Sequence, residues 1–366
     1  MILHFLTDDK FCPYVLKQFA HGDSDFVIVS DTNILKFLSV KEGIKVLHPK
    51  SEGFKQFVHD LSKYRTIILH GLFWPWQEYI LENKPDCTKV AWMFWGGELY
   101  DRHDLQFYFL APRTRLFYLW KRIKQHFKFY GRVIRKYEIP KDLFSKVDYC
   151  LTDIVDEFSF ASEYLDTKMK HLWYNYYSIE DTLGGLINSS IIGDDILVGN
   201  SATIAGNHLD AFQTLSKLNT QDRRIVVPLS YGEPWLANKI KQEGRRIFRE
   251  HFVPMTSFLP IEEYNRILTS CSIVIMNHYR PQALGNIITS LWLGARVYMS
   301  DKSIQFRYLK SMGIVLYSIE EDLHRSTLPE DNLPETDVLH NRSILYSLYG
   351  RESIHNRVSE LISMIS

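Results

Sequence analysis

The segment "ILVGNSATIAGNHLDAF", residues 196–212, runs from a short apolar stretch through a polar loop into an amphipathic stretch. Ile196–Val198 has the pattern of a buried strand end, and Gly199 and Gly206 lie in the loop that follows. Asn207 then precedes a helical pattern as a candidate N-cap. A strand that leads through small residues into a helix leaves backbone N–H groups free to bind an anion above the sheet. This segment is therefore typical of one βα unit of a parallel α/β fold.

Short apolar stretches alternate with helical patterns along the whole chain. In the first half, strands are predicted at Ile2–Leu6, Phe26–Val29, Thr66–Leu69, Lys89–Phe94, Tyr149–Leu151 and near His171–Tyr174. In the second half, they are predicted at Asp195–Val198, Arg224–Val227, Thr256–Phe258, Ser272–Met276, Ala295–Met299 and Val315–Tyr317. This alternation predicts an α/β fold with two doubly wound parallel sheets.

The length of 366 residues suits two domains of ordinary size. We expect an N-terminal domain over residues 1–180 and a C-terminal domain over residues 190–345. The pair Gly184-Gly185 suits a linker between them. The last periodic stretch, 350–366, predicts a helix that packs back on one of the two domains.

Composition narrows the class of protein. The apolar fraction of 45% is that of a globular chain, and a formal net charge of zero argues against a nucleic-acid partner. The 4 cysteines are scattered without a CxxC pair, so neither a metal site nor a disulfide framework is predicted. No signal peptide and no membrane-spanning stretch is recognisable, which leads us to expect a cytoplasmic protein.

Ionisable residues follow several predicted strands of the first half. Asp8 follows the first strand, His70 ends the strand before "GLFW", and Glu98 lies in "WGGEL". Each has an ordinary structural interpretation as a loop histidine or a helix-start carboxylate. Because the carboxyl ends of parallel strands form the ligand-binding edge, we expect catalytic residues here, with Glu98 the first candidate for a base.

Loops of the second half suit a phosphate or diphosphate. Arg280 beside a predicted helix N-terminus offers a bidentate donor, although a lone arginine can equally pair with a surface carboxylate. Neither a GxGxxG nor a Walker loop is present, and no metal site is predicted. The residues expected to bind the donor are Gly199, Asn200, Ser201, Asn207, His208, Ser230, Tyr231, Arg280, Gly285 and Asn286.

Residues 105–137 contain no Asp or Glu, and their cations are interleaved with aromatic rings. This composition suits the surface of an anionic membrane, where cations meet headgroups and rings settle at the interface. Nucleic acid and an ordinary amphipathic helix pair remain as alternative interpretations. The residues predicted to face a membrane are Arg113, Arg115, Trp120, Lys121, Arg122, Lys124 and Lys128.

Five segments together resemble one known family. They are "LHGLFWPW", "FWGGELYD", "ILVGNSATIAGNH", "IVVPLSYG" and "LPIEEYNRILTSCSIVIMNHYRPQALGNI", in that order. The order resembles bacterial family 56 glycosyltransferases, the 4-acetamido-4,6-dideoxygalactose transferases of enterobacterial common antigen, also labelled 4-alpha-L-fucosyltransferases. Glu98 stands where members of that family more often carry Asp.

The resemblance implies a GT-B arrangement, with two doubly wound domains facing across a cleft. It implies a nucleotide-sugar in the C-terminal domain and an acceptor in the N-terminal domain. Members use a dTDP-sugar and an undecaprenyl-diphosphate-linked acceptor, which would place the protein on the inner face of the cell membrane as a peripheral protein. No cofactor is implied.

The sequence is therefore compatible with three functions. The first is a metal-independent glycosyltransferase in surface polysaccharide synthesis, with backbone N–H groups and Arg280 stabilising the leaving diphosphate. Glu98, then His70 and Asp8, would serve as base if the anomeric configuration inverts, and Glu98 would position the acceptor if it is retained. The alternatives are a sugar-nucleotide epimerase of the same fold and a non-catalytic membrane-associated scaffold.

Overall fold

The computed structural model describes residues 1–20, 23–32, 34–38, 43–128, 137–220, 222–323, 328 and 332–366, with the side chains of 125–128 outside the description. The strands are β1 Ile2–Leu6, β2 Ser24–Val29, β3 Ile44–Leu47, β4 Thr66–His70, β5 Lys89–Met93, β6 Tyr149–Leu151, β7 Lys170–Leu172, β8 Asp195–Val198, β9 Ile225–Pro228, β10 Phe252–Met255, β11 Cys271–Met276, β12 Arg296–Met299 and β13 Tyr317–Ser318.

Helices connect most of these strands. They are α1 Cys12–Gln18, α2 Glu52–His59, α3 Pro75–Asn83, α4 Gly97–Tyr100, α5 Pro112–Lys128, α6 Val155–Leu165, α7 Ile179–Leu183, α8 His208–Leu215, α9 Pro234–Phe248, α10 Ile261–Thr269, α11 Leu284–Leu293, α12 Ile304–Ser311, α13 Glu335–Tyr349 and α14 Arg351–Ile365.

Two parallel sheets organise the chain, as predicted. Among the described residues, the first has 7 strands in the order β3-β2-β1-β4-β5-β6-β7, and the second has 6 in the order β10-β9-β8-β11-β12-β13. All strand pairs within them are parallel. The order reverses between β1 and β4 in the first sheet and between β8 and β11 in the second. Such reversal points open a crevice at the carboxyl ends of the strands.

The described residues divide into two compact units, one around each sheet. The first contains residues 1–102, 137–177 and 351–366, and the second contains 103–128 and 178–350. The stretch around Gly184-Gly185 is therefore not a linker between units. It forms α7 and a short 3₁₀ helix that belong to the second unit, with Ile179 and Leu183 buried.

Helix α14 packs on the first sheet through one stripe. Ile354, Val358, Leu361 and Ile365 are buried in the same apolar cluster as residues of β1 and β4. Their spacing follows the helical period, so a single face supplies all four side chains. Burial of each such side chain contributes about 1.5–3 kcal/mol of transfer free energy.

Helix α5, from the basic aromatic stretch, lies in the second unit and not in the first, where the stretch was expected. The Asp210 carboxylate of α8 accepts hydrogen bonds from the backbone N–H of Arg113 and Thr114, each at 2.8 Å, and from the Thr114 hydroxyl at 2.7 Å. Asp210 thus caps the N-terminus of α5 from another helix. Residues 129–136 of the predicted membrane-facing stretch lie outside the described residues.

Candidate active site

The order-reversal point of the second sheet brings together the loops that follow β8 and β11. The Asn207 amide donates to the Asn277 carbonyl at 2.9 Å, and the Gln282 amide lies 3.4 Å from the Asn200 side-chain oxygen. Asn207 is buried, and its backbone is left-handed with φ 50°, a conformation that asparagine tolerates better than most residues. Its side chain makes no cap hydrogen bond to α8, contrary to the expected N-cap role.

The loops after β8 and β9 are joined by backbone hydrogen bonds. Ala202 N–H donates to the Tyr231 carbonyl at 2.7 Å, and Glu233 N–H donates to the Ala202 carbonyl at 2.9 Å. Gly232 lies between these bonds with φ 97°, and an added Cβ would lie 2.3 Å from the Ala202 oxygen. Only glycine fits here, because a side chain would push the two loops apart.

His208 begins α8 and packs its ring against the glycines of the β8 loop. An added Cβ on Gly199 would lie 2.4 Å from His208 Nε2, and one on Gly206 would lie 2.6 Å from its Cε1. Nε2 has no hydrogen-bond partner among the described residues, and burial lowers the pKa of His208 to about 4. The imidazole is therefore neutral near pH 7.

A second buried histidine follows β11. His278 is fully buried, and neither ring nitrogen has a hydrogen-bond partner among the described residues. Burial, with the neighbouring His208 and Arg280, lowers the pKa of His278 to about 3. An anion bound at this edge would offset these effects, because a nearby negative charge raises a histidine pKa.

The other predicted donor residues lie around this edge in differing environments. Tyr231 is 52% exposed and contacts Phe258 edge-on at 5.6 Å between ring centroids. Asn286, in α11, donates its amide to the Tyr264 hydroxyl at 2.8 Å, so its side chain is engaged within the unit. The residues that follow β8, β9 or β11 directly or lie in their loops are Gly199, Asn200, Ser201, Asn207, Ser230, Tyr231 and Arg280, and Gly285 lies in the first turn of α11.

Glu98 is buried in α4 at the carboxyl edge of the first sheet. Its Oε1 accepts hydrogen bonds from Trp92 Nε1 at 2.9 Å and from the Trp95 backbone N–H at 3.0 Å. Oε2 has no hydrogen-bond partner among the described residues. Burial, assisted by the Asp101 carboxylate, raises the pKa of Glu98 to about 7. A carboxyl with such a pKa is suited to accept a proton near neutral pH.

A second buried carboxyl, Glu157 of α6, lies near the same loop. Its Oε2 accepts a hydrogen bond from the Thr152 hydroxyl at 3.0 Å, and its Oε1 lies 3.7 Å from the Cβ position of Gly96. Burial and the charges of Asp153 and Glu98 raise the pKa of Glu157 to about 8. Sequence reasoning missed Glu157, because a glutamate in the first turn of a helix is an ordinary feature.

His70 lies in a hydrogen-bonded chain that occupies both of its ring nitrogens. Nε2 lies 3.1 Å from His4 Nδ1, and Nδ1 lies 3.0 Å from the Tyr176 hydroxyl. Tyr176 also accepts a hydrogen bond from Trp95 Nε1 at 2.5 Å. Burial and the neighbouring His4 lower the pKa of His70. These hydrogen bonds link the His70 ring to the Tyr176 hydroxyl and, through that hydroxyl, to the Trp95 indole.

Asp8 supports a loop of its own unit. Its carboxylate accepts hydrogen bonds from the backbone N–H of Lys36 at 2.5 Å and of Phe37 at 3.1 Å. These bonds use one lone pair on each oxygen, and the side chain is half-buried. Asp8 thus holds residues 36–37 next to the carboxyl end of β1.

The predicted membrane-facing residues divide between two sides of α5. Arg113, Arg115, Trp120 and Lys124 are exposed, and Arg122 is half-buried. Lys121 does not face outward as predicted. Its ammonium lies 3.0 Å from the centroid of the Trp235 ring, on the side of α5 that packs on the second unit. The side chain of Lys128 lies outside the described part of the chain.

The described residues contain neither a group of metal-ligating side chains nor a membrane-spanning helix. Within that part of the chain, no three His, Cys, Asp or Glu side chains are grouped so that they could hold a metal ion. No helix in it combines the length and apolar character needed to cross a bilayer.

Known proteins share both the sequence pattern and the fold. Residues 2–333 match the profile of 4-alpha-L-fucosyltransferase, glycosyl transferase group 56. Sucrose-phosphate synthase from Thermosynechococcus elongatus is 11% identical with a TM-score of 0.62, over 100% of this chain and 98% of that one. HepE from Anabaena, solved with UDP and glucose, is 10% identical with a TM-score of 0.62, over 100% of both chains.

A glycosyltransferase from Rickettsia africae is also similar, at 13% identity and a TM-score of 0.62, over 100% of this chain and 98% of that one. At these identities the likeness shows the fold, which is that of GT-B glycosyltransferases. The family match spans nearly the whole chain and includes the loops described above. The chain belongs to glycosyltransferase family 56, and it is a glycosyltransferase.

Proposed function

We propose that this enzyme transfers a deoxyamino sugar, 4-acetamido-4,6-dideoxygalactose or a close relative, from a dTDP-sugar to an undecaprenyl-diphosphate-linked glycan. The reaction would belong to bacterial surface polysaccharide synthesis of the enterobacterial common antigen type. The structural observation that supports a nucleotide-sugar donor is the joining of the β8, β9 and β11 loops at the order-reversal point of the second sheet. The complex of the structurally similar HepE with UDP and glucose supports a nucleotide-sugar as donor.

The donor diphosphate would bind at this edge of the second sheet. Arg280 supplies a guanidinium that suits phosphate oxygens, and the first turn of α11 supplies backbone N–H groups. The joined loops at Ala202 and Tyr231 hold further backbone groups in fixed positions. As the glycosidic bond breaks, these donors would stabilise the negative charge that develops on the leaving diphosphate.

Glu98 would act on the acceptor hydroxyl. Hydrogen bonds from Trp92 and Trp95 fix one carboxylate oxygen and leave the other for the proton. The pKa near 7 matches the pH at which a general base works best. His70 is less suited, because its ring nitrogens already form hydrogen bonds with His4 and Tyr176.

A lipid-linked acceptor would place the enzyme at the inner face of the cell membrane. The support for this is the resemblance of the loop sequences to a family with such acceptors, together with the exposed basic and aromatic side chains of α5. These are Arg113, Arg115, Trp120 and Lys124. The enzyme would then be a peripheral protein that meets its acceptor on an anionic surface.

The test is sugar transfer by the purified full-length chain. dTDP-4-acetamido-4,6-dideoxygalactose and its UDP counterpart are each incubated with an undecaprenyl-diphosphate-linked disaccharide, with magnesium or with EDTA. We expect lipid-linked product from the dTDP donor in both conditions, and a loss of about a hundredfold in turnover for Glu98→Gln if Glu98 is the base. Conversion of the donor sugar without any lipid-linked product would instead indicate an epimerase.

A further inference from the structure

Helix α5 carries two unlike faces. Thr114, Phe117, Tyr118 and Lys121 lie on one face at helical spacing, and Phe117 and Tyr118 contact the Trp235 ring of α9. This inner face fastens the helix to the second unit. The opposite face shows four large apolar side chains, again at helical spacing, with exposures of 58%, 39%, 58% and 48% for Leu116, Leu119, Trp120 and Ile123.

Cations border this apolar outer face on both sides. At 100° per residue, Arg113 and Lys124 lie along one edge of the stripe, and Arg115 and Arg122 lie along the other. No Asp or Glu occurs anywhere in residues 105–128. A stripe of large apolar side chains between two rows of cations is the pattern of a helix that lies in the plane of an anionic bilayer surface.

Hydrogen bonds fix the N-terminal end of α5 to the β8 loop and to α8 of the same unit. Asp210 caps the helix, and the Asn207 side-chain oxygen accepts a hydrogen bond from the Ala111 N–H at 2.9 Å. Asn207 also binds the Asn277 carbonyl through its amide. A surface bound to the outer face is therefore held at a set place relative to the proposed donor loops.

We propose that the outer face of α5, formed by Leu116, Leu119, Trp120 and Ile123 with Arg113, Arg115, Arg122 and Lys124 at its edges, docks on an anionic lipid bilayer. The apolar side chains enter the interface, and the flanking cations meet lipid phosphates. A second copy of the chain fits less well, because like-charged rows would face one another. This proposal names the surface through which the enzyme would bind the membrane, and its biological purpose rests on the proposed function. Its test measures lipid binding and requires no catalytic activity.

The experiment is flotation of the full-length protein with lipid vesicles. Vesicles of phosphatidylcholine containing about one third phosphatidylglycerol are compared with vesicles of phosphatidylcholine alone. We expect binding to the anionic vesicles that weakens with added salt, and a drop of about tenfold or more in partition for Ile123→Glu. Ile192→Glu is the matched control, since Ile192 is 82% exposed and its backbone N–H donates to the Thr269 carbonyl at the end of α10.

The outcomes separate this proposal from the proposed function. Equal loss of binding in both Ile→Glu variants, or no binding of the unchanged protein to anionic vesicles, would overturn the docking face. So would a change from dimer to monomer in Ile123→Glu, measured by sedimentation without lipid, because the face would then serve self-association. The melting temperature of both variants, measured with and without dTDP, serves as the fold control. If dTDP does not raise the melting temperature of the unchanged protein, that result counts against the donor site and not against the docking face.

Discussion

Glu98 combines a buried carboxyl with a pKa near 7, and this combination has a cost for stability. In the unfolded chain the carboxyl ionises near its ordinary pKa of 4.5, whereas the folded protein keeps the proton until about pH 7. Over that window the folded state binds more protons than the unfolded state, so the free energy of unfolding falls as pH rises. Glu157, with a pKa of about 8, acts in the same direction.

Glu98→Gln should therefore change how stability depends on pH. The amide oxygen still accepts from Trp92 and Trp95, but the side chain no longer ionises. We expect the difference in unfolding free energy between variant and unchanged protein to grow by up to about 3 kcal/mol in favour of the variant from pH 5 to pH 8. Urea unfolding at several pH values measures it.

The same substitution at Glu52 is the control, because that side chain is 87% exposed and its carboxylate stays in water in both states. Parallel stability curves for Glu98→Gln and the unchanged protein would show that Glu98 is ionised throughout this range. Its assignment as a base with a pKa near neutrality would then be wrong.

Substitution of Gly232 tests whether the joined loops of the second unit form the donor site. Gly232→Ala places a methyl group 2.3 Å from the Ala202 oxygen at a φ of 97°, which costs about 1–3 kcal/mol from the backbone conformation alone. We expect a lower melting temperature and a loss of the stabilisation given by dTDP. Gly185→Ala, where an added Cβ has no atom within 4 Å, should change neither by a comparable amount. Normal dTDP binding by Gly232→Ala would remove these loops from the donor site.

Residues at strand ends were predictable, while buried partners were not. Glu98, Arg280 and the β8 loop stand out because polar or small residues directly follow apolar strands, where parallel sheets bind ligands. His278 occupies the same kind of position but was not singled out among its polar neighbours. The chain from His4 through His70 to Tyr176 joins residues far apart in sequence, and no local pattern indicates such contacts.

At the scale of elements, most strands begin and end close to where their apolar patterns predict. One exception is β10, predicted at Thr256–Phe258 but found at Phe252–Met255. It contains Pro254, which argues against a strand, but β10 is the edge of its sheet, where a missing N–H is tolerated. β3, at Ile44–Leu47, was not predicted because this short edge strand is only partly buried and carries Lys45.

The N-terminus of helix α5 is capped by Asp210, a residue of helix α8. Asp210→Asn leaves one acceptor oxygen but replaces the other, which accepts from the Thr114 N–H and hydroxyl, with an amide. We expect a loss of about 1 kcal/mol and faster hydrogen exchange of the backbone over the first turns of α5. Mass spectrometry of the peptide covering 112–124 measures this change.

Ser303→Ala provides the comparison at another helix, since the Ser303 hydroxyl accepts from the Phe306 N–H at the start of α12. Its effect should stay within residues 304–311. Unchanged exchange in α5 for Asp210→Asn would mean that packing on Trp235, and not the cap, holds the helix in place.

At the scale of the whole molecule, the two doubly wound sheets were predictable, but the path of the chain between them was not. Alternation of strand and helix patterns reports on fold class, because each period reflects local geometry. An apolar stripe shows that a helix packs, but not on which partner it packs. The sequence therefore could not show that α5 belongs to the second unit and that α14 belongs to the first.

The proposed function depends on a nucleotide site in the second unit. The most direct measurement is thermal melting of the protein with dTDP, UDP and GDP in turn, each with magnesium and with EDTA. A ligand that binds only the folded state adds about 2.7 kcal/mol at 100 times its dissociation constant. We predict the largest rise in melting temperature with dTDP, unchanged by EDTA and lost in Arg280→Gln, whereas no rise with any of the three nucleotides would contradict the proposed donor site.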